Sequence, residues 1–208
     1  MKKSILISAL AAFVNCSYAL ADTDNDASST TQNNAGKYYI GADIGITSST
    51  NANVTISGVP NTYPNPGAIP LVIGYHINPA IAVELGYTLF GKSTLKNNTG
   101  DITSLSASST NLALVGTLNV SPSFGIFGKL GYSKNNITED SFNGYHFADG
   151  TTSASASNNS ALYGVGISYY TSNRTALHIQ YISYGNFAST TSPVSASTSS
   201  FGFTYDLQ

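Results

Sequence analysis

Residues 80–90 read Ala-Ile-Ala-Val-Glu-Leu-Gly-Tyr-Thr-Leu-Phe. Ile81, Val83, Leu85, Tyr87 and Leu89 share one parity, and Ala82, Glu84, Gly86 and Thr88 share the other. Successive side chains of a strand point to opposite faces, so this stretch predicts a strand with one apolar face and one small or polar face.

The same period of two recurs on both sides of it. Residues 38–47 set Ile40, Ala42, Ile44 and Ile46 against Gly41, Asp43 and Gly45. Residues 69–78 set Leu71, Ile73, Tyr75 and Ile77 against Val72, Gly74 and His76. Residues 110–120 carry Leu112, Leu114, Leu118 and Val120 on one face. Residues 124–133 set Phe124, Ile126, Leu130 and Tyr132 against Phe127, Lys129 and Gly131. Residues 161–170 set Tyr163, Val165, Ile167 and Tyr169 against Gly164, Gly166 and Ser168. Residues 175–184 set Leu177, Ile179 and Tyr181 against His178 and Gln180. Residues 198–207 set Phe201, Phe203, Tyr205 and Leu207 against Gly202, Thr204 and Asp206.

Each run is about the 9–11 residues that a tilted strand needs to cross a bilayer. The connections alternate in length. Asn78-Pro79, Ser121-Pro122-Ser123 and Ser172-Asn173 are tight, whereas residues 48–68, 91–109, 134–160 and 185–197 are long and rich in Ser, Thr, Asn and Gly. Short turns on the periplasmic side and long loops outside form the outer-membrane pattern. Three turns and four loops join eight antiparallel strands with both ends in the periplasm.

Composition supports the same class. Charged residues are 9% of the chain, far below the roughly 25% of soluble domains, yet no apolar run is long enough for a spanning helix. In hydrocarbon every backbone N–H and C=O needs an internal partner, and an open sheet would leave two bare edges, so the sheet closes. Eight strands enclose a lumen that side chains fill. The inward glycines (Gly41, Gly45, Gly74, Gly86, Gly131, Gly164, Gly166 and Gly202) leave room there for larger inward residues. Tyr38, Phe90, Tyr132, Tyr170 and Tyr184 lie near strand ends, where aromatic girdles are expected. A soluble ligand-binding barrel would bury its apolar face inward, but Glu84 and Lys129 sit on the less apolar face, which argues for lipid outside.

The first 21 residues read as an export signal: Lys2 and Lys3, a short apolar run from Ile5 to Val14, and the small-x-small site Ala19-Leu20-Ala21. Cys16 falls within it, without the small preceding residue of a lipoprotein site, and is the sole cysteine. The mature chain, starting near Asp22, is thus expected to lack thiol chemistry. Of eight Lys and Arg, Lys2 and Lys3 leave with the signal, so six stand against ten Asp and Glu; this mildly acidic balance offers no basic patch for nucleic acid. Residues 22–36 are polar and acidic and are expected to be a flexible lead-in, with residues 37–208 as the barrel domain.

The runs Tyr38-Tyr39-Ile40-Gly41-Ala42-Asp43-Ile44-Gly45, Val83-Glu84-Leu85-Gly86-Tyr87, Gly128-Lys129-Leu130-Gly131-Tyr132 and Tyr163-Gly164-Val165-Gly166-Ile167 resemble the first, third, fifth and sixth strands of the OmpA-like and OmpX-like small outer-membrane barrels. The resemblance spans residues 38–207 and rests on the order and spacing of short motifs. It implies an interior ion-pair network that closes or opens a narrow water path, with Glu84 paired to Lys129 or to His178. It also implies insertion by the barrel-assembly machinery and contact with outer-membrane lipid and lipopolysaccharide. Leu207-Gln208 stands where the family usually ends on Phe, and His178 and Gln180 stand where OmpA-like barrels tend to carry Arg and Glu; no peptidoglycan-binding domain, and so no link to the cell wall, is expected.

Chemistry-bearing residues are few. Asp43, Glu84, Lys129, His178 and Gln180 are expected to form an interior polar network, with His76 also inward. A lone charge inside a closed barrel is costly and is usually paired. His76, His146 and His178 lack metal-ligand spacing, and no cofactor is expected. Lipid-modifying barrels need a Ser nucleophile with His and a carboxylate facing the outer leaflet, and no His-x-Ser-Asn signature occurs. Asn53-Val54-Thr55 and Asn136-Ile137-Thr138 are chance matches to glycosylation sites. In the third long loop Phe142, Tyr145, His146 and Phe147 are candidate surface contacts, the bland alternative being aromatics folded on the barrel rim or against lipopolysaccharide. The expected function is a monomeric, non-enzymatic surface barrel serving adhesion or membrane integrity, with a host or cell-surface ligand reached through the loops. A low-conductance pore gated by interior charges and a lipid-modifying enzyme are the competing readings.

Overall fold

The computed structural model of the protein describes residues 34–50, 53–56, 59–62, 65–97, 100–141, 152–187 and 194–207. The expected signal segment, most of the expected lead-in and the candidate contact residues Phe142, Tyr145, His146 and Phe147 lie outside them.

Among the described residues ten strands succeed one another: β1 (Tyr38–Thr50), β2 (Asn53–Ile56), β3 (Val59–Thr62), β4 (Gly67–Asn78), β5 (Ile81–Asn97), β6 (Gly100–Asn119), β7 (Phe124–Ser141), β8 (Ser153–Tyr170), β9 (Thr175–Phe187) and β10 (Val194–Asp206). Eight of them, β1 and β4 to β10, form one closed antiparallel barrel, with β10 returning to pair with β1. β2 and β3 pair with each other, in a two-stranded ribbon between β1 and β4 in the chain. The ends meet on the turn side, where Leu207 N–H donates to Tyr38 O at 2.7 Å. Asn34 to Lys37 form a turn, with Gly36 at φ 78° and its N–H on His76 O at 2.8 Å.

The faces follow the parity of the sequence. Ile44, Leu112, Val165 and Ile179 are more than half exposed on the outer wall, while Ala82, Glu84, Lys129 and His178 are buried inside. A belt of exposed Ile, Leu, Val, Tyr and Phe surrounds a barrel that water would not tolerate and lipid does. Among the described residues no helix is long and apolar enough to cross a membrane; the crossing is made by strands.

Two expectations need correction. The long connections are largely strand: β5 and β6 run on to Asn97 and from Gly100, and β7 and β8 run to Ser141 and from Ser153. The expected loops 91–109 and 134–160 are therefore mostly paired ladder, and 48–68 and 185–197 are shortened likewise. Apolar alternation marks where a strand touches lipid, not where it stops pairing, and polar Ser, Thr and Asn continue the backbone ladder into water. The second correction concerns the aromatics. Tyr38 and Tyr132 are exposed, but Phe90 and Tyr184 are buried in the lumen, and Tyr170 turns inward to donate to Asn119 Oδ1 at 2.7 Å. All three have inward parity, which outweighs their position near a strand end.

Candidate functional site

The lumen is the most structured polar region among the described residues, and its side chains lie in layers. Nearest the turns, His76 Nε2 stands 3.3 Å from Asp206 Oδ1, and the His76 ring lies against Tyr39 at 4.6 Å between centroids. A cavity of about 80 Å³ opens at this end, lined by groups that include Tyr39, Asn119, Lys129, Tyr170 and Asp206.

Two ionic clusters close its inner side. In the first, Lys129 Nζ donates to Glu84 Oε2 at 2.6 Å and Tyr39 O–H donates to Glu84 Oε1 at 2.8 Å. The ammonium also lies 5.4 Å from the Phe127 ring centroid, a favourable cation–π placement. In the second, Asp43 Oδ1 pairs with His178 Nε2 at 2.9 Å, and Asp43 Oδ2 accepts from Ser200 Oγ at 2.7 Å and from Gln180 Nε2. Of the two partners considered for Glu84, Lys129 is the one in contact, and His178 goes to Asp43.

Glycines make these contacts possible. Tyr39 on β1 and Glu84 on β5 are both in register with Gly74 of the intervening β4. Asp43 on β1 and His178 on β9 are likewise both in register with Gly202 of β10. In each case two side chains meet across a strand that lacks a side chain between them. A Cβ on Gly202 would strike the Asp43 carboxylate and stand 2.5 Å from Ala42 O. Gly202→Val should therefore lower stability by about 1–3 kcal/mol, the usual range for overpacking, read as a fall in the urea midpoint of the heat-modifiable band in lipid vesicles.

Further from the turns the lumen becomes apolar. Phe90 meets Tyr184 and Phe187 edge-to-face at 5.3 and 5.5 Å. Ile137, Leu162, Ile182 and Ala196 complete this plug. Beneath it the Tyr184 hydroxyl pairs with Thr88 Oγ1 at 2.9 Å, and Ser109 Oγ donates to Asn135 Oδ1 at 2.8 Å.

Asp43, Glu84, Lys129, His178 and Gln180 are thus all buried in the lumen, divided between two clusters. Tyr39 and Ser200 are cluster members that the sequence reading does not single out. Their signal is the register, in which Tyr39 lies beside Gly74 and Ser200 beside Gly45. The arrangement neutralises buried charge and does not resemble a nucleophile with its base: Ser200 bonds the carboxylate, not the imidazole. No group of three metal-ligating side chains occurs among the described residues.

An apolar outer belt, a closed eight-stranded wall and a filled polar lumen define a small outer-membrane β-barrel protein. The sequence model of the OmpA-like transmembrane domain matches residues 33–205, and the chain belongs to that family. No curated protein matches the chain. Among solved structures it is similar to Neisserial surface protein A, at 16% identity over 82% of this chain and 97% of that one, with TM-score 0.61. It is also similar to the outer membrane protein OprG of Pseudomonas aeruginosa, at 14% identity over 86% and 99%, TM-score 0.56. A third similar structure is the attachment invasion locus protein Ail of Yersinia pestis in complex with the heparin analogue sucrose octasulfate, at 14% identity over 83% and 99%, TM-score 0.55. The likeness is one of fold. Family and fold together place the protein in the bacterial outer membrane.

Proposed function

We propose that this protein is a sealed, non-catalytic barrel whose work is done at the cell surface, through membrane integrity and adhesive contact. The observation that carries this reading is the double closure of the lumen, by the Glu84–Lys129 and Asp43–His178 clusters and by the Phe90–Tyr184–Phe187 plug. A solute path would have to break two buried ionic clusters and displace an aromatic core. The interior charges then plug and rigidify rather than gate. Strand ends raised above the lipid belt would present the loops, including Phe142, Tyr145, His146 and Phe147, to a cell-surface ligand. Export would use residues 1–21 as a cleaved signal, and the belt would contact lipid and lipopolysaccharide after insertion by the assembly machinery.

The refolded protein in planar bilayers should give no conductance steps, and alanine substitution of the four loop residues should reduce the adhesion of displaying cells without changing the heat shift on a gel. Steps in the parent that change with Glu84→Ala or Lys129→Ala would instead favour a charge-gated pore.

A further inference from the structure

The wall of the barrel is not equally paired around its rim. β7 and β8 pair from Phe124 with Tyr169 up to Asp140 with Ser153. β8 and β9 pair only from Tyr170 with Ala176 up to Tyr163 with Ser183. Residues 153–162 of β8 therefore have no strand partner on their β9 side among the described residues. The ladder stops where the outward residues of β8 change from Tyr, Val and Ile to Ala161, Asn159 and Ser157, which is where lipid gives way to water. Below that level a bare edge is intolerable, and above it water can satisfy the edge.

The missing partner has turned inward. Gly185 adopts φ +69°, and the β9–β10 register shifts at Ala196/Ser197, the signature of a β-bulge. One extra residue reverses the parity of the strand beyond it. Leu177, Ile179 and Tyr181 mark the outward parity, on which Phe187 would face out, yet Phe187 is buried in the plug with Ala196. Side chains of the inner wall clamp the displaced backbone. Ser133 Oγ and Asn135 Nδ2 donate to Tyr184 O at 2.7 and 2.8 Å. Ser160 Oγ and Asn158 Nδ2 donate to Asn186 O at 2.9 and 3.1 Å, and Asn186 N–H donates to Ser160 Oγ at 3.0 Å.

We infer that Tyr184–Phe187 of β9 forms an inward-folded strap, carried on Val194–Ala196 of β10, and that its second seat is the upper edge of β8, bare among the described residues. Continuing the β8–β9 register places Ala161 opposite Gly185 and Asn159 opposite Phe187, with Phe187 back on the outward parity. Moving the strap to that edge restores a ladder, withdraws Phe187 from the plug and opens the mouth of the barrel. The two seats exchange side-chain clamps and aromatic packing for backbone pairing, which is what a two-state element requires. The inference rests on the sealed-lumen reading and makes the outer seal conditional.

Gly185→Ala biases the strap outward without removing a plug side chain. In the inward seat a side chain there meets a left-handed backbone and stands 2.6 Å from Ser160 Cβ; in a continued ladder it is an ordinary strand residue. The reporter is Ala196→Cys in the exported full chain with Cys16→Ser, which has no other cysteine. A bulky water-soluble maleimide should label it at least tenfold faster in the Gly185→Ala background, while neither background conducts, because the Glu84–Lys129 and Asp43–His178 clusters still close the inner side. Equal labelling rates in two heat-modifiable barrels overturn the strap. A parent that conducts overturns the sealed reading instead. Should Gly185→Ala fail to fold, the pair N159C/F187C decides: it oxidises to a crosslink when the strap reaches β8, and absence of the crosslink under oxidant rejects the second seat.

Discussion

Lys129→Met should lower the unfolding free energy of the barrel in lipid vesicles by about 3–5 kcal/mol, the usual cost of stripping one partner from a buried ion pair. Glu84 and Lys129 are both buried, and the carboxylate has two donors, Lys129 and Tyr39. Removing the ammonium leaves a carboxylate in a cavity also lined by Val115 and Phe127, with one hydroxyl to satisfy it. The double variant Glu84→Gln/Lys129→Met should recover most of the loss, because a neutral pair replaced by groups of similar shape carries little desolvation cost. The urea midpoint of the heat-modifiable band, followed by gel shift or circular dichroism, gives both values. A single variant as stable as the parent would show that the lumen is wet enough to solvate a free carboxylate.

The second large effect lies on the other side of the wall. Leu85→Arg should cost about 2–4 kcal/mol in a bilayer, the range for a cation near the midplane of a barrel's lipid face. Leu85 is half exposed and stands in register with Ile73 and Leu112, both in the apolar belt. The same substitution at Asn159, exposed above the belt on β8, should stay within about 0.5 kcal/mol, as for an ordinary surface site. The contrast separates lipid exposure from water exposure, since both positions are exposed. Equal effects at the two sites would remove the membrane belt from where the parity puts it.

Much of this arrangement is legible in the residues. Alternation through Ile81 to Leu89 assigns every face of β5, and the same rule puts Glu84, Lys129, Asp43, His178 and Gln180 inside. The partners within that set are not legible. Pairing depends on the stagger of strands around the wall, and only the register shows Asp43, Gly202 and His178 in one row. Loop lengths are misread from sequence because hydropathy reports contact with lipid, whereas the ladder is made by backbone groups that every non-proline residue carries.

The sequence by itself determined the class of wall: a period of two, low charge and no spanning apolar run leave a closed barrel as the way to satisfy a backbone in hydrocarbon. Tertiary structure alone decided how the barrel is filled and sealed. Closure brings β10 to β1 and sets the rows across which the glycines let charges meet. A single bulge at Tyr184–Gly185 then turns Phe187 from the outer wall into the lumen. Face alternation is a local property of the backbone and can be read along one strand; stagger and bulges are set by neighbours far away in the chain.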